Sequence, residues 1–208
     1  MNIKVCGINS FKQLQQLDGL NVDFAGLIFV KDSPRYVEGI IEKDNVRDAD
    51  LDLKKVGVFV NPELIDVLDA IDNYKLDVVQ LHGDETPEMC DDISAEVEVI
   101  KAFSIDATTV DIDAMLAPYD AVCDYYLFDN KGSNGAGGSG QKFDWKKISE
   151  AKIEKPFFLS GGIGPDDAGL VKAFRHPDFF GVDLNSLFEK EPGVKDMALV
   201  LKFIHGLK

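Results

Sequence analysis

A lone cysteine near the N-terminus is the first residue of this sequence with a potential for chemistry. The short apolar run Lys4-Val5-Cys6-Gly7-Ile8 carries this thiol directly before a glycine, which is typical of a strand that delivers a side chain to a loop. A free cysteine is also among the most buried residue types and packs as a small hydrophobe. Taken alone, Cys6 therefore indicates either a reactive thiol or a core residue.

Five further polar or glycine-rich motifs each follow or end a strand-like segment. They are Ser33-Pro34-Arg35-Tyr36, Gln80-Leu81-His82-Gly83-Asp84-Glu85, Asp129 at the end of an apolar run, Ser160-Gly161-Gly162, and Gly181-Val182-Asp183-Leu184-Asn185-Ser186. Side chains two residues apart on a strand share one face, about 6.6 Å apart along it. The pairs Lys4/Cys6 and Gln80/His82 are therefore expected to point to the same side of the sheet.

Short apolar runs alternate with amphipathic segments along the whole chain and predict eight β-then-α units. The predicted strands are Ile3–Cys6, Phe24–Val30, Lys55–Val60, Val78–Leu81, Val97–Phe103, Tyr125–Asp129, Pro156–Ser160 and Phe179–Leu184. The predicted helices are Ser10–Leu17, Val37–Arg47, Pro62–Asn73, Pro87–Ile93, Thr108–Leu116, Trp145–Glu150, Asp166–Phe174 and Lys195–Leu207. Start signals precede three of them, at Asn61, Thr86 and Gly164-Pro165.

Eight such units favour closure into a (β/α)8 barrel. An open flavodoxin-like or Rossmann sheet needs fewer units, and no Gly-x-Gly-x-x-Gly follows the first strand. The 208 residues, 45% of them apolar, suffice for one sizeable core. We therefore expect a single (β/α)8 barrel domain over residues 1–208. Active sites of such barrels lie at the carboxyl ends of the strands, where all the polar motifs of this sequence fall.

Composition excludes several classes of function. The net charge of −15 is spread along the chain, whereas nucleic-acid binding needs clustered lysine and arginine. No apolar stretch approaches the ~20 residues that span a bilayer, no basic amphipathic segment favours a membrane surface, and no signal peptide precedes the first strand. We therefore expect a cytoplasmic protein without nucleic-acid or membrane partners. The three cysteines have no disulfide or metal-site spacing, so the sequence predicts no metal.

Together these motifs resemble the phosphoribosylanthranilate isomerase family, (β/α)8 enzymes of tryptophan biosynthesis. The resemblance covers nearly the whole chain and includes Val56-Gly57-Val58-Phe59-Val60-Asn61 and Gly137-Gly138-Ser139-Gly140-Gln141-Lys142-Phe143-Asp144-Trp145. It implies an Amadori rearrangement of N-(5-phospho-β-ribosyl)anthranilate to 1-(2-carboxyphenylamino)-1-deoxyribulose 5-phosphate, with no metal or organic cofactor. Asn9, Asn130 and the glycine-rich segment 131–136 depart from the family pattern.

The resemblance implies two proton-transfer residues, Cys6 as general base and Asp129 as general acid. The base needs a thiol pKa below its ordinary ~8.5, and the acid needs a carboxyl pKa above its ordinary ~3.9. We expect Lys4 to favour the thiolate of Cys6 and burial to favour protonated Asp129. The alternatives are Cys6 as core filler, Asp129 as a helix cap or turn residue, and Lys4 as half of a structural ion pair.

The anionic substrate needs local positive charge in so acidic a protein. Arg35 is the candidate for the anthranilate carboxylate, because a guanidinium binds carboxylates through two parallel hydrogen bonds. Alternatively, it pairs with a surface acid. Backbone N–H groups at Gly161, Gly162, Asn185 and Ser186 are the candidates for the phosphate, and ordinary turns are the alternative.

Three further residues are candidate substrate contacts. Gln80 and His82 are predicted to line the pocket, although His82 would also suit a plain hydrogen-bonded position at the barrel mouth. Asp183 is predicted to bind substrate amino or hydroxyl groups, with an internal pairing to Lys4 as the alternative.

Two other functions fit part of this pattern. A related phosphosugar isomerase or epimerase would keep the phosphate site but leave Arg35, Cys6 and Asp129 unexplained, and a non-catalytic phosphate-binding barrel would leave the last two unexplained. The expected partner is a small phosphosugar substrate, and the expected state is a monomer, with a homodimer as the alternative.

Overall fold

The computed structural model describes residues 1–106, 108–109, 111–130 and 145–208. The glycine-rich loop predicted at Lys131–Gly140 and most of the motif that ends at Trp145 lie outside these residues. The described chain forms a closed barrel of eight parallel strands in sequential order, each followed by helical structure. The predicted (β/α)8 fold is thus confirmed.

The eight barrel strands match the predicted ones with small differences at their ends. They are β1 (Asn2–Cys6), β2 (Phe24–Ile28), β3 (Lys54–Phe59), β4 (Val78–Leu81), β5 (Glu98–Ile105), β6 (Tyr125–Asn130), β7 (Phe157–Leu159) and β8 (Phe179–Leu184). Strand β8 closes the barrel on β1, which brings Lys4 opposite Asp183. On its other side β1 pairs with β2, and Cys6 lies opposite Gly26.

In the described part of the chain, eight α-helices follow the strands. They are α1 (Phe11–Gly19), α2 (Lys43–Arg47), α3 (Leu64–Tyr74), α4 (Pro87–Ser94), α5 (Ile112–Leu116), α6 (Lys146–Glu150), α7 (Ala168–Ala173) and α8 (Met197–Leu207), with short 3-10 helices at Ala117–Tyr119 and Ser186–Phe188. Side-chain caps begin several of them, including Thr86, whose hydroxyl accepts a hydrogen bond from the Met89 amide as its sequence position predicts. No helix among the described residues combines the length and apolarity that crossing a membrane requires.

Several predicted helices begin too early, including the one expected from Thr108, which begins at Ile112. The helix expected from Val37 forms only at Lys43–Arg47, because Gly39 adopts a φ of +75°, which a right-handed helix does not accommodate. Asn61 is not a helix cap, since its own φ is +47° and α3 begins at Leu64. Lys195 belongs to a short strand, and the last helix begins at Met197.

A short antiparallel hairpin that the sequence patterns did not predict lies between β8 and α8. Its strands are β9 (Glu189–Glu191) and β10 (Val194–Lys195). The turn between them contains Pro192 and Gly193, and Gly193 has a φ of +84°. We call this segment, residues 189–195, the β9–β10 hairpin.

The barrel interior is apolar at its amino-terminal end. Phe24, Tyr125, Phe158 and Phe180 pack there with ring centroids 5.1–6.2 Å apart, mostly edge to face. A second and larger apolar layer fills the space between the strands and the helices. The four aromatic rings fill the amino-terminal end of the barrel, and the polar interior residues are concentrated toward the carboxyl ends of the strands.

Candidate active site

Cys6 is the last residue of β1, and its side chain is buried inside the barrel. Gly26 of β2 leaves the space that the thiol occupies, because a Cβ at that position would lie 2.7 Å from Cys6 Sγ. After Cys6 the chain turns at Gly7, whose φ is +79°, and the amides of Gly7 and Ile8 both donate to Gly26 O at 2.9 Å. The thiol is therefore held by a rigid strand end against a glycine on the neighbouring strand.

Lys4, one side-chain repeat before Cys6, forms a buried ion pair with Asp183. Its Nζ lies 2.9 Å from Asp183 Oδ1, and the Lys4 side chain is fully enclosed. The second carboxylate oxygen accepts a long hydrogen bond of 3.4 Å from Ser160 Oγ. Burial lowers the pKa of Lys4, but the charges and hydrogen bonds of Asp183 and Cys6 together outweigh burial, and the net pKa is raised. Lys4 is therefore an ammonium ion beside the thiol. The Asp183 carboxylate already accepts hydrogen bonds from Lys4 and Ser160.

The pKa of Cys6 differs from the sequence-based expectation. Enclosure inside the barrel raises the thiol pKa, and the nearby carboxylate of Asp183 adds to this effect. Lys4 and Lys195 lower it, but by less than burial raises it, so the net pKa is raised. Lys4 favours the thiolate, as expected, but the lowered thiol pKa that a base was expected to need is not reached, because the thiol is desolvated more completely than a strand-end position suggests.

Arg35 lies beside the Cys6 loop and pairs with Glu189 of the β9–β10 hairpin. Arg35 Nε donates to Glu189 Oε1 at 2.8 Å, and Nη2 donates to Oε2 at 2.7 Å. Its aliphatic part crosses Gly7, where a Cβ would lie 2.6 Å from Arg35 Cδ. The predicted carboxylate-binding arginine is therefore at the site, and it already holds one carboxylate of the protein.

Lys195 brings a second ammonium to the same cluster. Its Nζ donates to Glu189 Oε1 at 2.6 Å and to Asn185 Oδ1 at 2.7 Å. Burial would raise the pKa of Glu189, but hydrogen bonds from Arg35 and Lys195 and the amide of Gly193 outweigh it and lower this pKa to about 2. Glu189 is therefore ionised throughout the physiological range.

Helix α1 anchors the β9–β10 hairpin to the barrel. The Gln13 side chain donates to Gly193 O at 3.0 Å and accepts from the Lys195 amide at 2.7 Å. Asn9, one of the departures from the family pattern, accepts from Gln13 Nε2 at 3.2 Å. The hairpin is thus fixed by side chains from the opposite end of the sequence.

Asp129 lies in β6 and contacts His82 across the barrel mouth. His82 Nε2 is 3.4 Å from Asp129 Oδ2, and Gln80 Nε2 is 2.7 Å from His82 Nδ1. With Gln80 Nε2 as the donor, His82 Nδ1 is the acceptor, and His82 Nε2 is the ring nitrogen that faces the carboxylate. The structure therefore brings Gln80, His82 and Asp129 into one row.

The loop that carries His82 is held by a buried lysine. Lys101 Nζ donates to Gly83 O at 2.8 Å and to Glu85 Oε2 at 3.1 Å. The Glu85 carboxylate in turn accepts from the amides of Asn61 and Gly83. These contacts fix the position of His82 relative to Asp129.

The candidate phosphate residues follow the paired strands β7 and β8. Gly161 and Gly162 have φ values of +80° and +71°, a conformation that favours glycine. Within the described part of the chain their amides donate no hydrogen bond, so both N–H groups are available to an anion. Asn185 and Ser186 lie in the adjacent turn, where Ser186 begins a 3-10 helix.

Glu189, Lys195, Gln13 and Gly26 are the site residues that the sequence patterns did not reveal. Pro192-Gly193 between two charged segments was the available signal for the hairpin. Nothing in the sequence pairs Glu189 with Arg35, since they lie 154 positions apart. Among the described residues, no three His, Cys, Asp or Glu side chains converge as a metal site would require.

Comparison with known proteins identifies relatives over the whole chain. A family model described as N-(5'-phosphoribosyl)anthranilate (PRA) isomerase matches residues 3–206. The N-(5'-phosphoribosyl)anthranilate isomerase of Parabacteroides distasonis is 43% identical over 209 residues, covering 100% of this chain and 93% of that protein.

Solved structures agree with this relationship. Phosphoribosyl anthranilate isomerase from Thermus thermophilus has a TM-score of 0.82 at 27% identity, covering 100% of this chain and 98% of that one. A phosphoribosyl anthranilate isomerase in complex with reduced 1-(o-carboxyphenylamino)-1-deoxyribulose 5-phosphate has a TM-score of 0.78 at 27% identity, with the same coverage.

Proposed function

The chain belongs to the N-(5'-phosphoribosyl)anthranilate isomerase family, enzymes of tryptophan biosynthesis, and we propose that Cys6 and Asp129 are the general base and general acid of its reaction. The substrate is N-(5-phospho-β-ribosyl)anthranilate, and the product is 1-(2-carboxyphenylamino)-1-deoxyribulose 5-phosphate. The observation that carries the proposal is the placement of both residues inside one barrel mouth, at the carboxyl ends of β1 and β6.

The reaction needs a proton donor first and a proton acceptor second. Asp129 donates a proton to the furanose ring oxygen as the bond from that oxygen to C1 breaks, and the anilino nitrogen supplies the electron pair that forms the C1=N Schiff base. The Cys6 thiolate then removes the proton from C2, which gives an enolamine. Loss of the proton from the C2 hydroxyl and protonation of C1 give the ketone, so that the overall change is an isomerisation.

Two lysines near Cys6 support its role as the base. Lys4 and Lys195 both lower the thiol pKa of Cys6 and so favour the thiolate. Burial raises this pKa by more, so the neutral thiol is the major form in the free protein. Because the thiol pKa is raised, the Cys6 thiolate is a stronger base than the thiolate of an exposed cysteine. Cys6 is therefore a strong base that is present as a minority species at neutral pH.

The surroundings of Asp129 support its role as the acid. Asp129 is mostly enclosed and faces His82, whose ring is oriented by Gln80. The His82 side chain is partly exposed, so the Asp129 carboxyl group has a neighbour that is in contact with solvent. We propose that Gln80 and His82 line the substrate pocket next to the furanose ring.

Two groups of residues are proposed to bind the charged ends of the substrate. Arg35 binds the anthranilate carboxylate, and the free amides of Gly161 and Gly162, with the turn at Asn185 and Ser186, bind the phosphate. Asp183 is kept as a proposed contact to a substrate amino or hydroxyl group, in addition to its ion pair with Lys4.

Loss of the anthranilate fluorescence of the substrate measures the proposed activity directly. We expect purified wild-type protein to consume N-(5-phospho-β-ribosyl)anthranilate, Cys6→Ser to be nearly inactive, and Asp129→Asn to lose more than about 90% of kcat. Binding of the reduced product analogue, measured by calorimetry, is expected to persist in both variants.

Cys123→Ser is the matched control, because it makes the same chemical change at a buried cysteine that is outside the barrel interior. It should retain wild-type kcat. A Cys6→Ser variant with wild-type kcat would refute the base assignment, and an Asp129→Asn variant with more than about a tenth of kcat would refute the acid assignment. A wild-type protein that binds the analogue without turnover would indicate a binding protein.

A further inference from the structure

The Arg35–Glu189 contact uses only one edge of the guanidinium. Glu189 accepts from Nε and Nη2, which together form the side edge of the group. Within the described residues Nη1 donates no hydrogen bond. A guanidinium carries five N–H donors, so three remain, including one on Nη1 and one on Nη2 that point along its end edge. This end edge can bind a second carboxylate through two parallel hydrogen bonds.

Glu189 is itself held rigidly. Its side chain is only 5% exposed, and it accepts hydrogen bonds from Arg35, Lys195 and the Gly193 amide. Gln13 fixes the hairpin at Gly193 and at Lys195, on both sides of Val194. The contacts of α1 with the β9–β10 hairpin therefore fix Glu189, and Glu189 fixes the orientation of the Arg35 guanidinium. Without these contacts the Arg35 side chain would rotate about several bonds.

We propose that Glu189 is a positioning residue for substrate recognition, which holds Arg35 by its side edge so that its end edge is presented to the anthranilate carboxylate. This inference rests on the proposed role of Arg35 as the carboxylate anchor. Glu189 does not touch the substrate in this scheme. It removes the rotamer freedom that Arg35 would otherwise lose on binding, and Lys195 compensates part of its negative charge next to an anionic ligand.

The test compares KM for two substrates, N-(5-phospho-β-ribosyl)anthranilate and the aniline analogue that lacks the carboxylate. Glu189→Asp keeps the charge but withdraws the carboxylate by one methylene, and Glu189→Gln keeps the shape but loses the charge and one acceptor. We expect both variants to raise KM for the carboxylated substrate by about tenfold, with less effect on kcat, and to leave KM for the analogue unchanged. In an Arg35→Ala background, Glu189→Gln should raise KM no further.

Glu191→Gln is the matched control, because Glu191 is a carboxylate of the same hairpin that is exposed to solvent. It should leave KM for both substrates unchanged. Thermal unfolding of every variant identifies any that fail to fold, and Glu189→Asp keeps the test informative if Glu189→Gln is unstable.

The outcomes separate this inference from the proposed function. If Arg35→Ala raises KM for the carboxylated substrate alone but both Glu189 variants leave it unchanged, the positioning role is refuted and Arg35 remains the anchor. If the Glu189 variants raise KM equally for both substrates, Glu189 has a general structural role and the inference is also refuted. If Arg35→Ala affects the two substrates equally, the anchor role itself is refuted.

Discussion

Cys6 Sγ occupies space that exists only because residue 26 is a glycine. The two residues are direct neighbours across β1 and β2, and a Cβ on Gly26 would lie 2.7 Å from the sulfur and 3.0 Å from Cys6 Cα. One of these contacts is to backbone, so rotation of the cysteine side chain cannot relieve both. The position of the proposed base is therefore set by a residue that carries no functional group.

Gly26→Ala is expected to displace the thiol and lower kcat by at least about tenfold while the barrel still forms. The added methyl group should also cost about 1–3 kcal/mol of unfolding free energy, because an overpacked interior relaxes only in part. Fluorescence turnover and urea unfolding measure the two effects on the same preparation.

Gly169→Ala is the control for this substitution. Gly169 lies exposed in α7, and a Cβ at that position would have no neighbouring atom within 4 Å, so alanine should leave kcat unchanged and favour the helix slightly. Wild-type kcat in Gly26→Ala would mean that the position of the sulfur is not critical.

The pH dependence of kcat/KM follows from the raised thiol pKa of Cys6. If the active form needs the thiolate and a protonated carboxyl group, it is a minority form between their two pKa values. The thiolate fraction stops increasing above the Cys6 pKa while the acid fraction continues to fall, so the alkaline limb reports the thiol. We expect this limb above the ordinary ~8.5 of a cysteine, with iodoacetamide alkylation of Cys6 following the same pKa.

Lys195→Met tests the cause of that pKa. Among the residues that the structure describes, the charged groups that face Cys6 are Lys4, Asp183, Arg35 and Lys195. Loss of the Lys195 ammonium should move both the alkaline limb and the alkylation pKa upward. Alkylation of Cys6, located by mass spectrometry, that leaves activity intact would contradict the mechanism. A product analogue should protect Cys6 from the reagent.

Lys4→Met is expected to destabilise the protein by about 3–5 kcal/mol, because it leaves the buried Asp183 carboxylate without its counter-ion. Urea unfolding followed by the fluorescence of Trp145, the only tryptophan, measures this loss. Lys202→Met is the control: Lys202 and Asp166 form an ion pair of 2.7 Å, but their side chains are 59% and 87% exposed. Its removal should cost less than about 1 kcal/mol. Similar losses in both variants would show that burial does not determine the strength of these pairs.

The eight strands were predictable because each consists of a short apolar or β-branched run bounded by turn residues. Phe179–Leu184 and Val78–Leu81 were predicted with their observed ends. The helix expected from Val37 does not form there, although the apolar periodicity favours it, because Gly39 adopts a positive φ that a right-handed helix does not allow. The meeting of the candidate residues at one barrel mouth was predictable for the same reason as the barrel, since the fold places the carboxyl ends of all strands there.

Most partners of those residues were not predictable from the sequence, although the pairing of Asp183 with Lys4 was one of the alternatives it left open. The 37 acidic residues offer many counter-ions for Arg35, and only the folded chain selects Glu189. The thiol pKa of Cys6 was misjudged for a related reason. The sequence shows the neighbouring Lys4, but it does not show how completely water is excluded from the strand end.

The closure of β8 on β1 has a consequence for the nascent chain. Cys6, Gln13 and Arg35 leave the ribosome well before Asp183, Glu189 and Lys195 do. The Lys4–Asp183 and Gln13–Gly193 contacts span 179 and 180 positions. A partly synthesised barrel therefore carries the thiol with Lys4 and Arg35 but without Asp183 and Lys195. The first appearance of turnover is expected only when β8 has closed the ring of strands on β1.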